Sequence, residues 1–172
     1  GLSELVFANI ATYGDPSSTD ITFLNNRFEN GKRSIFLSGG NNDYISHTLA
    51  DHNDFINPSE HAIHIEYSQY SLIRNNRIES NLPITGIHIQ GLTRGDTLAK
   101  NIILLQAGGL GIHLYSTGQV NDTTVISNNF IYLNTTVADH AIDIYSTKAP
   151  VKILYNTVHI TGKNKYSYCL YS

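Results

Sequence analysis

Apolar and polar residues alternate along this chain in short bursts, and no window of ten or more residues carries the stripe of an amphipathic helix. Gly111-Ile112-His113-Leu114-Tyr115 and Ala141-Ile142-Asp143-Ile144-Tyr145 are the clearest bursts. Asn, Gly, Ser and Asp punctuate them, and Pro16, Pro58, Pro83 and Pro150 all fall between them, where a missing N–H donor does no harm. The period is that of β-strands, and the predicted elements are many short strands.

The strands come in a repeat. Asn26, Asn53, Asn76, Asn101, Asn129 and Asn156 recur at steps of 27, 23, 25, 28 and 27 residues. Two positions after each stands an apolar residue (Phe28, Phe55, Ile78, Ile103, Ile131, Val158), and three before stands another (Phe23, Ala50, Ile73, Leu98, Ile126, Ile153). A second marker, the pair Ile35/Leu37, returns as Ile63/Ile65, Ile87/Ile89, Ile112/Leu114, Ile142/Ile144 and, more loosely, Tyr168/Leu170. A coil of this length with two or three short strands and no helix cannot close a core alone, so coils must stack, each strand pairing in parallel with its copy above. The fold class predicted is all-β, a parallel β-helix of about six coils over 21–172, with 1–20 as a partial coil whose strand is either Leu5-Val6-Phe7 or Ile10. At about 4.8 Å per coil the rod spans roughly 24 Å. The recurrent Asn is expected to turn the chain through left-handed backbone angles and to stack as an amide ladder. A second polar column, Asn30, Asn57, Asn81, Gln106, Asn134 and Thr161, should follow it.

Composition narrows the function classes. A net charge of −3 with 15% charged residues offers no basic field for nucleic acid. No apolar stretch approaches the roughly 18 residues of a membrane span. The single cysteine, Cys169, rules out an intrachain disulfide and a thiolate zinc site. An Asn-, Ser-, Thr- and Tyr-rich chain of this kind suits a secreted or cell-surface bacterial protein. No capping helix is legible at either end, so the chain is expected to be a slice of a longer β-helix or to be capped by a partner.

If the Ile/Leu columns of the second marker point inward, the residues between them point outward. They form a small row (Ser34, Ala62, Gly86, Gly111, Ala141, Ser167), a row Phe36, His64, His88, His113, Asp143, Cys169, and a row Ser38, Glu66, Gln90, Tyr115, Tyr145, Tyr171. Together they outline a lane for an extended glycan, and the candidate ligand-binding residues are His64, His88, His113, Asp143, Tyr115, Tyr145 and Glu66. Imidazoles stacked one coil apart should hold each other's pKa down. Two could ligate a transition metal and one could act as a base, with His61 and His140 nearby, yet duplication of a tolerated surface residue explains the row more simply; no metal or cofactor is assigned. Arg27, Asp54 and Arg77 are expected to stack as surface charges.

The pattern of an apolar residue, two positions, Asn-Asn-x-Ile and then Gly-Ile-x-Ile resembles the right-handed parallel β-helix repeats of the pectin-lyase-like superfamily over about 21–172. The resemblance implies a polysaccharide partner. It does not assign an activity, since the superfamily's lyases, hydrolases and epimerases carry signatures absent here. Asn57-Pro58-Ser59-Glu60-His61 only echoes the epimerase motif, and Asp139 and Asp143 are a carboxylate pair by position alone. The expectation is a polysaccharide-binding β-helix segment without an assigned catalytic residue. A lyase or hydrolase acting on an acidic glycan, and a rigid adhesin stalk, stand as alternatives.

Overall fold

The computed structural model describes residues 8–13 (backbone), 19–40, 43–91, 94–115, 122–135, 139–162, 164 and 166–172. Its strands form three long parallel sheets. Sheet I has seven: Ala8–Tyr13, Arg33–Ser38, His61–Glu66, Ile84–Gln90, Gly109–Tyr115, His140–Tyr145 and Tyr168–Tyr171. Sheets II and III have six each, II contributing the strand before each recurrent Asn (Leu72–Arg74, for example) and III the strand after it (Arg77–Ser80). The sheets' strand numbers agree with the six sequence markers. Ala8–Tyr13 places Ile10 level with Ile35, so the opening segment supplies the first strand of sheet I; Leu5–Phe7 lie outside the described residues. A two-stranded ladder, Ile45–Ser46 with Ser68–Gln69, fills the corner between sheets I and II.

The core is a set of apolar files along the rod. Ile35, Ile63, Ile87 and Ile112 are fully or almost fully buried and stacked in register, with Leu37, Ile65, Ile89 and Leu114 beside them. Phe28 stacks on Phe55 in sheet III with ring centroids 5.0 Å apart and planes 6° off parallel. Fully burying one such side chain is worth about 1.5–3 kcal/mol, so the rod is held chiefly by these files.

The turn between sheets II and III divides between two residues the roles expected of one. The residue before the recurrent Asn takes the left-handed conformation in every coil: Asn25, His52, Asn75, Lys100, Asn128 and Tyr155, all at φ of 53–57°. The recurrent Asn has the other role. Asn53, Asn76, Asn101 and Asn129 are buried, and the Nδ2 of each donates to the Oδ1 of the Asn in the next coil at 2.9–3.0 Å. Each Oδ1 also accepts the backbone N–H of the preceding Asn, as Asn76 does from Asn53 at 3.0 Å. Each Nδ2 reaches a backbone carbonyl as well, Asn76 donating to Ala50 at 2.8 Å. The ladder therefore satisfies a buried backbone donor at every turn. The second polar column does not repeat this. Asn81 N donates to Asn57 Oδ1 and Thr161 meets Asn134, but Asn81 and Gln106 are exposed.

Three expectations need correction. The small row faces inward, because alternation breaks at that position: Ala62 and Ile63 are consecutive and both fully buried, a Cβ on Gly86 would lie 3.0 Å from Ile103 Cγ2, and one on Gly111 2.7 Å from Ile131 Cγ2. In the last strand Leu170, not Tyr168, stands level with Ile142, and Tyr171 lies beside Asp143. Cys169 therefore does not continue the histidine row. Arg27 and Arg77 pair within their own strands, with Glu29 and Glu79, rather than with Asp54, although the three are level across the sheet.

Candidate functional site

The site is built on the outer side of sheet I. The register Phe36, His64, His88, His113, Asp143 is as expected, and so is the neighbouring row Ser38, Glu66, Gln90, Tyr115, Tyr145. Parallel pairing brings like positions about 4.8 Å apart, and the rings follow. Phe36–His64, His64–His88 and His88–His113 have centroid separations of 5.0, 4.5 and 4.7 Å. His61 reaches the same side because alternation breaks at Ala62 and Ile63, both buried, and sets its edge against His64 and His88 at 4.8 and 5.0 Å.

The depth of the row is the main departure from expectation. His64 keeps only 3% of its surface and is covered on both sides, so no ligand reaches its ring directly. His88 and His113 are half-buried. Both nitrogens of His64 and of His88, with Nδ1 of His61, are buried without a hydrogen-bond partner. His64 Nε2 lies 3.1 Å from Glu66 Oε1, though the two are not aligned as a hydrogen bond. Burial, with the mutual repulsion of neighbouring imidazolium charges, pushes His61 down to about 4, His64 to about 2 and His88 to about 3. His113 is lowered by burial as well, against the opposing pull of Asp143. At neutral pH the imidazoles of His61, His64 and His88 are uncharged. Among the described residues no three His, Cys, Asp or Glu side chains converge as a metal site.

At the fifth coil the row changes character. Asp143 Oδ2 stands 3.7 Å from His113 Nε2 and 3.4 Å from His140 Nδ1. On one side of this carboxylate Tyr115 and Tyr145 stack with centroids 5.5 Å apart and planes 3° off parallel. On the other, His140 stacks on Tyr171 at 4.5 Å and meets Tyr168 at 5.5 Å. These four tyrosines are each between 39% and 54% exposed. Glu66 is held in the lane by Ser38, whose hydroxyl donates to Oε2 at 2.9 Å. Asp139, the other carboxyl suggested by position, is committed elsewhere: it is buried and accepts the backbone N–H of Gly109 at 2.9 Å, and burial raises its pKa.

A family model described as the right handed beta helix region matches residues 10–171. The chain belongs to the right-handed β-helix family. No curated protein and no solved structure matches this β-helix chain. The family fixes the handedness of the rod and leaves the chemistry to its surface.

Sequence reasoning missed three features of this β-helix that bear on the site. Arg33 pairs with Glu60 one coil on, Nε to Oε2 at 2.8 Å, and lies over the Phe36 ring at 4.8 Å. Their register, Arg33 level with His61, was legible in principle once the two Ile pairs were aligned. Residues 59–61, 83–85 and 109–110 line a depression of about 300 Å³ beside the histidines. The third is the aromatic group at Tyr168 and Tyr171, hidden by the misread register of the last strand.

Proposed function

We propose that this β-helix segment binds a polysaccharide along the outer face of sheet I, within a secreted or cell-surface bacterial protein. The observation that carries the reading is the parallel, half-exposed pair Tyr115–Tyr145 standing in one row with Gln90, Glu66 and Ser38. Tyrosines supply apolar surface and a hydroxyl at once, which suits the C–H and O–H faces of a sugar. The row repeats every coil, at a spacing close to the length of one pyranose unit, so a glycan lying along the rod meets an equivalent position at each residue. Half-buried His88 and His113 border the lane. His64 supports it from below, and its replacement acts through stability rather than contact. The extracellular assignment rests on composition and on the resemblance of the repeat.

A glycan array with the parent and the Tyr115→Ala, Tyr145→Ala and His88→Ala variants tests this. Binding by the parent that Tyr115→Ala and Tyr145→Ala abolish is the expected result. No binding by the parent, or binding that all three variants retain, refutes it. A second reading, cleavage on the same face, draws on one observation: Asp143 lies between the imidazoles of His113 and His140, an arrangement able to hold a base in one orientation. Release of an unsaturated, ultraviolet-absorbing product from uronic-acid polymers would favour it.

A further inference from the structure

The lane's charge selects among glycans. In the strands of sheet I, Arg33 is the one Lys or Arg among the described residues, and Glu60 holds it through Nε at 2.8 Å and Nη2 at 3.4 Å. The same strands contribute two carboxylates, Glu66 and Asp143. Of the five imidazoles on these strands, His61, His64, His88 and His113 pack against one another, and His140 lies against Asp143 and Tyr171. A uronate or sulfate laid along these strands would meet carboxylates, and their one guanidinium is already held by Glu60.

Asp143 is the place where the row departs from the repeat, and its surroundings have a definite preference. It is about nine-tenths buried, and its Oδ1 has no hydrogen-bond partner. Exposed tyrosines stand on both sides of it, Tyr115 and Tyr145 with His113, Tyr168 and Tyr171 with His140. A carboxylate bordered by aromatic rings attracts an ammonium group twice, by charge-assisted hydrogen bonding and through the negative faces of the rings.

We propose that the lane takes a glycan carrying free amino groups, with one amine seated at Asp143 among the surrounding tyrosines. The inference rests on the glycan-binding reading above and names the substrate class for it. A carboxylate–ammonium contact at a largely buried carboxylate separates the amine from its amide by about tenfold or more in affinity. The glycan's own charges also make the binding sensitive to salt.

The test is calorimetric titration of the parent protein, at mildly acidic pH, with β-1,4-linked glucosamine oligomers, their fully N-acetylated counterparts and galacturonate oligomers. The expected order places the free-amine oligomer first, by at least about tenfold over the acetylated one, with the uronate last. Asp143→Asn should erase the amine preference, so that the free-amine oligomer binds no more tightly than its acetylated counterpart. Circular dichroism confirms that the variant is folded, and the parent's ranking alone decides the matter if it is not. Acetylated or uronate oligomers binding as tightly as the amine overturn the inference and leave the glycan lane standing. Binding of none of the three overturns both.

Discussion

Asn75 and Asn76 are adjacent and chemically identical, and the fold uses them in opposite ways, so one substitution made at each position separates the two roles. Asn76 is buried, and its side chain makes four hydrogen bonds: Oδ1 accepts from Asn53 N and Asn53 Nδ2, and Nδ2 donates to Ala50 O and Asn101 Oδ1. Asn76→Gly leaves the Asn53 N–H buried without an acceptor, which costs about 1–3 kcal/mol. Losing the other bonds and adding a glycine's chain entropy brings the total to about 3–5 kcal/mol. Asn75 sits at φ 53° and donates one side-chain hydrogen bond, to Asp51 Oδ1 at 2.8 Å. Glycine relieves the left-handed backbone there while losing that bond, so Asn75→Gly should stay within about 1 kcal/mol of the parent. Urea denaturation followed by far-ultraviolet circular dichroism reads both values. A difference between the two variants smaller than about 1 kcal/mol would refute the division of the turn into a backbone residue and a ladder residue.

Acid should weaken the protein earlier than its carboxylates alone would. A histidine pushed below its ordinary value binds a proton more readily when unfolded, so stability is full above about pH 6.5 and falls as pH drops toward 4, 3 and 2 for His61, His88 and His64. Within its window each contributes a slope of about 1.4 kcal/mol per pH unit. His88→Phe, which copies the Phe36 coil, should flatten that slope in thermal melts between neutral and acid pH, and an unchanged slope would contradict the burial of the row. Gly111→Ala should destabilise by about 1–3 kcal/mol or more, since the new Cβ would lie 2.4 Å from Ala141 O and 2.7 Å from Ile131 Cγ2; chemical denaturation checks this. His64→Ala should lower the melting temperature yet leave the specificity of any glycan bound unchanged, which the array reads directly.

The fold was legible because two columns, the recurrent Asn and the Ile-x-Ile pair, repeat independently, and a parallel solenoid stacks like on like. The candidate row was legible for the same reason: register across coils follows from aligning the Ile pairs. Depth was not legible. Alternation tells which side of a sheet His64 faces, but not that Phe36, His61 and His88 close over it. The small row was misplaced because strict alternation turns each neighbour to the opposite face, whereas Ala62 and Ile63, like Ala141 and Ile142, are consecutive and both buried. The last strand was misread because a shift of two residues keeps the same faces in and out, so the pattern Tyr-Cys-Leu-Tyr fits either register. The turn roles of Asn75 and Asn76 were merged because a stretch of two identical residues does not say which of them turns the chain.

The claim that the outer face of sheet I is a glycan lane is tested most directly by affinity as a function of oligosaccharide length, measured by calorimetry on the parent and on Tyr115→Ala/Tyr145→Ala. For β-1,4-linked glucosamine oligomers, affinity should climb with each added sugar as the chain crosses successive coils and then level off, and the double variant should lose that climb. Affinity independent of length, or a climb that survives removal of both tyrosines, would contradict the account.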